Sequence, residues 1–264
     1  MSTILVTGST QGIGRETAAT LIAAGHRVVL HARNAERAEQ ARATLPRAEA
    51  VVVGDLSSLD QTKQVALTAA ALGPFDAVIH NAGVGGGAPR REVTADGMER
   101  IFQVNVAAPY VLTALMPAPR RLVYLTSGLE AQGTVRWDDL QFEQRPWNGM
   151  QAYSDSKLHD VMLAFAVARL WPDTTTNAVD PGWIKTRMGG AGATDELPEG
   201  ADTQIWLATG DDPGAKVTGR YLKRRQALGA NPAAAQRPHQ DHLLTHLAEL
   251  TGVSFPSPAS VYGG

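Results

Sequence analysis

The sequence predicts an α/β fold, a single domain built on a doubly wound parallel sheet with helices on both faces. Short β-rich runs alternate with Ala-rich segments of helical length along most of the 264 residues. The composition, 44% hydrophobic and 19% charged, provides enough apolar residues for a sizeable core and argues against disorder. A chain of this length fits one large α/β domain.

The predicted strands and helices follow one another in chain order. Strands are predicted at 3–7, 27–31, 50–53, 75–80, 121–126, 175–179 and 219–222, and helices at about 13–24, 34–45, 58–71, 95–116 and 151–170. Two segments interrupt the alternation, namely 128–150 and the tail after Leu222, and long loops in compact α/β folds are usually functional or disordered. We therefore divide the chain into a main domain, 1–222, and a tail, 223–264, that packs on or extends it.

Composition argues against several classes of protein. The net charge is -2 and the sequence contains no marked Lys/Arg run, so we expect neither a nucleic-acid partner nor binding to an anionic membrane. The absence of cysteine excludes disulfides, thiolate metal sites and a cysteine nucleophile. The N-terminus lacks the features of a signal peptide, and the longest apolar stretch, 161–170, is too short to span a bilayer. We expect a cytoplasmic protein without a membrane anchor.

A glycine-rich turn lies between the first predicted strand and the first predicted helix. Glycines in this turn would let the backbone approach a pyrophosphate, and the helix N-terminus would offer free N–H groups to it. The spacing is Gly-x-x-x-Gly-x-Gly, which differs from the general dinucleotide fingerprint. The candidate phosphate-binding residues are Gly8, Ser9, Thr10, Gln11, Gly12, Ile13 and Gly14.

Four segments together resemble the short-chain dehydrogenase/reductase family. They are "TGSTQGIG" (7–14), "NAG" (81–83), "YSDSK" (153–157) and "PG" (181–182), in the family's order and spacing. The resemblance covers about residues 3–222 and implies a Rossmann sheet of strand order 3-2-1-4-5-6-7. It also implies hydride transfer between a nicotinamide dinucleotide and a small-molecule carbonyl or alcohol, which makes 1–222 the dinucleotide-binding catalytic domain.

The end of the second predicted strand indicates which cofactor is preferred. The segment "VVLHARN" has no acidic residue and places Arg33 where a guanidinium could bind the 2'-phosphate of NADP(H). We therefore predict NADP(H), with NAD(H) as a second cofactor; alternatively, Arg33 only caps the next helix or faces solvent. The resemblance makes Asp55 an adenine contact, and a cap for the helix at 58–71 is an alternative role that is compatible with this contact. Further cofactor contacts implied by the family are Leu56, Asn81, Ala82, Gly83, Tyr153, Lys157, Pro181, Gly182, Trp183, Ile184 and Thr186.

Tyr153 and Lys157 are four residues apart in a predicted helix, so their side chains lie on one face. A free tyrosine has a pKa of about 10, and a nearby ammonium favours its phenolate, as a general acid/base near neutrality requires. In the family this tyrosine transfers the proton and the lysine also holds the nicotinamide ribose. Ser127 corresponds to the family serine that bonds the substrate oxygen, and Asn105 to the asparagine of the proton relay. Pro109 lacks the N–H that would bond the carbonyl of Asn105.

One segment departs from many family members. Ser127 and Tyr153 are 26 residues apart, and the insertion contains a "DDL" element that resembles the retinol-dehydrogenase-like and WW-domain-oxidoreductase-like branch. That branch often acts on lipophilic alcohols and aldehydes. Four aromatic residues could line an apolar substrate pocket, or could instead pin the inserted loop to the domain: Trp137, Phe142, Trp147 and Trp183.

The tail and the assembly leave alternatives open. Three histidines, His239, His242 and His246, share a helical face, which we interpret as a polar surface, with no metal site predicted. The resemblance implies a homodimer through the helices at 95–116 and 151–170. Two other functions remain alternatives: a catalytically silent NADPH-binding regulator, and a nucleotide-sugar-modifying enzyme, which would normally need a larger C-terminal domain.

Overall fold

Eight strands form one sheet in the computed structural model, which describes residues 1–257. The order is β3-β2-β1-β4-β5-β6-β7-β8, and each pair is parallel except β7 with β8. The strands are β1 (Thr3–Val6), β2 (Arg27–Ala32), β3 (Ala50–Val53), β4 (Ala77–His80), β5 (Arg121–Leu125), β6 (Thr175–Val179), β7 (Arg220–Lys223) and β8 (Gln226–Leu228). The predicted order of the first seven strands is confirmed.

Helices cover both faces of the sheet. They are α1 (Gly12–Ala23), α2 (Ala35–Thr44), α3 (Leu59–Ala70), α4 (Arg100–Phe102), α5 (Ala108–Leu115), α6 (Gly149–Leu170), α7 (Leu197–Thr209) and α8 (Arg237–Thr251). Along β1, Ile4 and Val6 face one core and Leu5 faces the other, so the strand is buried on both sides. Among residues 1–257 no helix combines the length and apolar character needed to cross a bilayer.

Three elements differ from the sequence prediction. The segment expected to be a helix at 95–116 starts only at Arg100, and Gln103–Ala107 form a π-helix between α4 and α5. α7 was not predicted; it begins after Glu196, whose side chain forms a capping box with Glu199. β8 was not predicted either, because the turn before it places Arg224 and Arg225 at φ of 48° and 60°, where glycine or asparagine is usual.

The tail packs on the main domain. α8 packs against α6, and the Tyr110 hydroxyl of α5 donates to the carbonyl of Val253 at 2.7 Å. The rings of Trp171 and Phe255 stack with their centroids 5.1 Å apart. Residues 258–264, the end of the predicted tail, lie outside the described residues. Two helices expected to be free for a partner are therefore covered by the chain itself.

This packing bears on the predicted homodimer, which would use the same helices. Between Arg100 and Leu115 no residue is exposed, and in α6 only Met150 is. A stable interface buries about 800 Å² of each partner, and helices with so few exposed residues offer little surface for it. We therefore expect the purified protein to have the mass of one chain in size-exclusion chromatography with light scattering. A mass of two chains that persists on dilution would contradict this expectation.

Candidate active site

The glycine-rich turn after β1 has the shape that a bound phosphate needs. Gly8 and Gly12 have φ of 63° and 56°, and a Cβ on Gly14 would lie 2.4 Å from the carbonyl oxygen of Gly8. α1 begins directly after this turn with no side chain capping its N-terminus. Its first N–H groups are therefore available to an anion, and the residues present fit a dinucleotide pyrophosphate.

The side chains of two residues in this region form hydrogen bonds with the backbone around the turn. Ser9 is fully buried, and its Oγ accepts the backbone N–H of His31 at 3.0 Å. The Asn81 amide donates to the carbonyls of Thr7 (2.8 Å) and Gly8 (3.2 Å). The bond of Ser9 holds the turn after β1 against β2, and the bonds of Asn81 hold the end of β4 against the same turn. Both side chains therefore stabilise the predicted cofactor site.

Arg33, just after β2, is exposed and forms no hydrogen bond or ion pair with the residues described. The neighbouring Asn34 caps α2, because its Oδ1 accepts the N–H of Arg37 at 2.9 Å. The alternative that Arg33 caps this helix is therefore wrong. The guanidinium extends into solvent near the phosphate turn, where it can bind an anion.

Asp55 follows β3 and lines an open cleft. Its Oδ1 accepts the N–H (2.9 Å) and the hydroxyl (2.7 Å) of Ser57, whereas Ser58 caps α3. Asp55 is thus not the N-cap, which was the alternative interpretation. The cleft has a volume of about 680 Å³, and its lining includes Asp55, Ser57, Ser58, Gln61, Arg90, Arg91 and Arg100.

α6 presents Tyr153 and Lys157 at the carboxyl edge of the sheet. The Lys157 Nζ lies 5.7 Å from the centroid of the Tyr153 ring. It donates to the carbonyl of Leu125, the last residue of β5, at 3.0 Å, and to Asp160 Oδ2 at 2.7 Å. Lys157 is buried while Tyr153 stays partly exposed, so the ammonium lies behind the phenol.

Asp160 is a partner of Lys157 that sequence reasoning missed. Burial raises the pKa of Asp160 to about 6, against the attraction of Lys157. Burial also lowers the pKa of Lys157, but the charges of Asp160 and Tyr153 outweigh it and raise that pKa. The available signal was the i, i+3 spacing of a lysine and an aspartate on one helix face. This pair stabilises Lys157 as an ammonium inside the protein.

Asn105 lies in the π-helix and meets Lys157 beside Gly83. A Cβ on Gly83 would lie 3.3 Å from Asn105 Oδ1 and 3.7 Å from Lys157 Nζ. The amide of Asn105 accepts the N–H of Val84 at 2.8 Å and donates to Ser156 Oγ at 2.9 Å. The structure therefore brings Asn105 and Lys157 together against the "NAG" segment, although they are far apart in the chain.

Ser127 follows the carboxyl end of β5, the strand whose last carbonyl binds Lys157. Its Oγ accepts the N–H of Leu129 at 3.3 Å and caps a short 3₁₀ helix, Gly128–Gln132. Because the hydroxyl accepts this bond, its own O–H remains free to donate. The segment 181–196 follows β6, the neighbour of β5 in the sheet.

The segment 181–196 closes over this edge. Its Thr186 contacts the phosphate turn, since a Cβ on Gly12 would lie 3.5 Å from Thr186 Cγ2, and its Met188 contacts Gly85 after β4. In the sheet β5 lies between β4 and β6, so the segment reaches from the end of β6 to the loop after β4. Gly182 has φ of 97° beside Pro181. Ile184 is buried in the segment, whereas Trp183 is exposed.

The inserted "DDL" loop is tied to α6 by ion pairs. Asp139 accepts the N–H groups of Glu143 (2.6 Å), Gln144 (3.1 Å) and Arg145 (3.0 Å). Arg145 forms ion pairs with Asp139 at 3.3 Å and with Asp155 at 2.8 Å. Asp155 lies two residues after Tyr153 in α6. The aspartate of the motif therefore organises the loop, and Arg145 anchors it beside Tyr153.

The four aromatic residues predicted for the pocket have different surroundings. Trp137 stacks on His242 of α8 at 4.2 Å between centroids, and Phe142 is 4% exposed inside a small cluster with Trp147. The Trp147 indole donates to the carbonyl of Ala88 at 2.9 Å. These contacts favour, for Trp137 and Phe142, the alternative that the aromatic residues pin the inserted loop, and the pocket prediction stays a prediction. Trp183 is the member that remains exposed, at 55%.

Two further features had no interpretation from the sequence. His80 Nε2 lies 2.9 Å from the Thr113 hydroxyl, and burial lowers the pKa of His80 to about 3, so this histidine is a neutral core residue. Gly86 and Gly149 bring two backbones together, because a Cβ on either would lie 2.3 Å from the carbonyl oxygen of the other. This contact holds the loop 83–87, "GVGGG", against the start of α6.

Comparisons with known proteins agree with this geometry. The profile described as short chain dehydrogenase matches residues 2–137. Short-chain dehydrogenase chyC of Penicillium rubens is 38% identical over 261 residues, 97% of this chain and 100% of that protein. Retinol dehydrogenase 14 of Mus musculus is 33% identical, over 83% of this chain and 77% of that protein. The predicted family and its retinol-dehydrogenase-like relatives are confirmed.

A solved structure extends the likeness to three dimensions. A crystal structure of a blue fluorescent protein from a metagenomic library, in complex with NADPH, matches with a TM-score of 0.68. The two chains are 27% identical, and the match covers 84% of this chain and 95% of that one. The order of the strands, the phosphate turn and the similarity to these proteins lead to one conclusion. The chain belongs to the short-chain dehydrogenase/reductase family of oxidoreductases.

Proposed function

We propose that this oxidoreductase transfers a hydride between NADP(H) and a lipophilic or aromatic carbonyl or alcohol, with Tyr153 as general acid/base. The observation that carries the proposal is that Lys157, which meets Asn105 beside Gly83, has its Nζ 5.7 Å from the centroid of the Tyr153 ring. A bound nicotinamide would supply or accept the hydride, while the protein supplies the proton. A buried ammonium behind a partly exposed phenol is the arrangement that such proton transfer needs.

Each residue of the group has a task in carbonyl reduction. Tyr153 donates its phenolic proton to the substrate oxygen, and the Lys157 ammonium stabilises the phenolate that remains. Ser127 holds the same oxygen through its free O–H. Asn105 supports a water relay, since Pro109 cannot donate to its carbonyl and the helix widens to a π-turn there. In alcohol oxidation the same groups act in reverse, with Tyr153 as the base.

Support for NADP(H) comes from Arg33, which is exposed and unpaired among residues 1–257. A guanidinium binds a phosphate through two parallel hydrogen bonds, whereas no carboxylate is present in "HARN" to select the free ribose hydroxyl of NAD(H). The related solved structure named above holds NADPH. We therefore propose NADP(H) as the preferred cofactor and NAD(H) as a weaker one.

Support for a lipophilic substrate comes from three exposed apolar side chains near the site. Met150 lies in the first turn of α6, three residues before Tyr153, while Trp183 and Met188 belong to the closing segment 181–196. Exposed apolar side chains that cluster around a cleft commonly mark a binding site. A bulky apolar substrate would cover these side chains from water.

We expect purified protein to consume NADPH with large aromatic or aliphatic carbonyls, at a kcat/KM about 10-fold or more above that for small polar ones. The reason is that each buried CH₂ contributes about 0.8 kcal/mol. The measurement is NADPH absorbance over a panel of carbonyls graded by size. Trp183→Ser should remove this preference, and Leu228→Ser, which alters an exposed side chain of β8, should retain it. NADPH binding without turnover on the whole panel would favour the silent regulator instead.

A further inference from the structure

His31, the next-to-last residue of β2, joins two loops at the edge of the sheet where the cofactor is proposed to bind. Its ring is buried between the turn after β1 and the loop after β3. The N–H of Gly8 donates to His31 Nδ1 at 3.0 Å, and His31 Nε2 lies 2.9 Å from the carbonyl oxygen of Gly54. One side chain therefore bridges both neighbours of β2.

The partners decide which nitrogen of His31 carries the proton. A backbone N–H can only donate and a carbonyl oxygen can only accept, so Nδ1 is bare and Nε2 is protonated. Burial lowers the pKa of His31, although the bond to Gly54 and the charge of Asp55 act in the opposite direction. The ring is therefore neutral in the folded protein, with a single tautomer.

The two loops that His31 joins are those assigned to the two ends of the ADP moiety. Gly8 begins the phosphate turn and packs closely against the backbone of Ala82, because a Cβ there would lie 2.8 Å from Ala82 Cα. Gly54 directly precedes Asp55, the proposed adenine contact. The backbone of His31 adds two further bonds to the turn, through the N–H and the hydroxyl of Ser9.

We propose that His31 is a positioning residue for the cofactor, whose neutral ring sets the phosphate turn and the loop after β3 at the spacing that the ADP moiety requires. The proposal rests on the proposed function only in that the ligand is a nicotinamide dinucleotide. Protonation would place an N–H on Nδ1 opposite the N–H of Gly8, so two donors would face each other without an acceptor. Cofactor affinity should then fall in acid.

The charged groups near His31 are Asp55, which favours a proton on the ring, and Arg33, two residues further along the chain. A dinucleotide is itself anionic, so its charge alone would bind more tightly to a protonated ring. The geometry and the charge therefore predict opposite trends with pH. The sign of the trend shows which one governs binding.

The test is isothermal titration calorimetry with NADP⁺ on the full-length protein and three variants. His31→Asn keeps an acceptor near the position of Nδ1, His31→Gln keeps a donor near that of Nε2, and His31→Leu keeps neither. We expect the dissociation constant to rise about 10-fold or more in His31→Leu, which loses both bonds, and by a smaller factor in His31→Asn and His31→Gln, which each lose one. Because burial lowers the pKa of His31, the wild type should lose affinity relative to His31→Asn only below the ordinary histidine pKa of about 6.5.

His26 offers a matched control, because its Nδ1 also accepts a backbone N–H, that of Ser2, at the opposite end of β2. His26→Leu should leave the dissociation constant unchanged, and circular dichroism verifies that each variant is folded. Wild-type affinity in a folded His31→Leu, or affinity that rises in acid relative to His31→Asn, would overturn the proposal. If the wild type binds NADP⁺ but reduces no carbonyl, the proposed activity fails while the role of His31 is still decided by binding.

Discussion

Replacing Tyr153 with phenylalanine is expected to lower kcat by about 10³-fold or more, because the proton donor is removed while the ring remains. Lys157 keeps its bonds to Leu125 and Asp160 in this variant, so the site should retain its shape. The dissociation constant for NADPH should therefore change by no more than about 3-fold. Steady-state kinetics and a direct binding titration measure the two effects separately.

Tyr110→Phe is the matched control for this prediction. It removes the same hydroxyl from a buried tyrosine whose only described hydrogen bond is to Val253, in the contact between α5 and the tail. We expect Tyr110→Phe to reduce stability by about 1 kcal/mol and to leave kcat unaltered. Retention of more than about a tenth of kcat in Tyr153→Phe would exclude Tyr153 as the general acid/base.

Arg33→Asp is expected to reverse the cofactor preference, lowering the ratio of kcat/KM for NADPH to that for NADH by about 10² to 10³-fold. A carboxylate would repel the 2'-phosphate and could accept a hydrogen bond from the free ribose hydroxyl. Since Arg33 has no partner among the described residues, its replacement should leave the fold intact. The ratio is obtained from initial rates with both cofactors on one substrate.

Arg42→Asp, in the last turn of α2, controls for the change in net charge. This residue is exposed like Arg33 but belongs to the far end of the helix that follows it, so the variant should keep the wild-type ratio. If both variants changed the ratio equally, the preference would come from the overall field of the protein. Equal use of NADPH and NADH by the wild type would also contradict the proposed preference.

Local signals in the sequence were sufficient for most of the fold. Alternating apolar strands and Ala-rich helices predicted the first seven strands, because a βαβ unit is specified by segments that are contiguous in the chain, and the family resemblance implied their order. α7 and β8 were missed for local reasons. α7 follows a Gly/Ala-rich stretch and begins at a Glu196 capping box, and β8 depends on two arginines in left-handed conformations. Neither signal stands out in a sequence.

Some residues of the candidate site were identified from sequence motifs, and others were found only in the structure. Motifs identified Tyr153, Lys157 and Asn105, and the structure places the last two beside Gly83. Asp160 and His31 were not identified, because a buried ion pair or a bridging histidine is recognised only from partners that are distant in the chain. For the same reason the sequence left open whether Trp137 and Phe142 line a pocket or pin the inserted loop, since aromatic content does not reveal which neighbours a ring contacts.

The sequence by itself therefore determined the fold class and the family, and it predicted the residues of the candidate site. These depend on residue types at set spacings along the chain. The glycine-rich turn, the Tyr-Lys pair and the periodicity of the strands are patterns of this kind. Only the tertiary structure decided which residues surround that site. The tail packs against α5 and α6, the segment 181–196 reaches the phosphate turn through Thr186, and His31 joins the loops that follow β1 and β3. Such contacts join segments that are distant in the chain. They depend on how the folded elements fit together and on which side chains become buried, and residue spacing does not encode either.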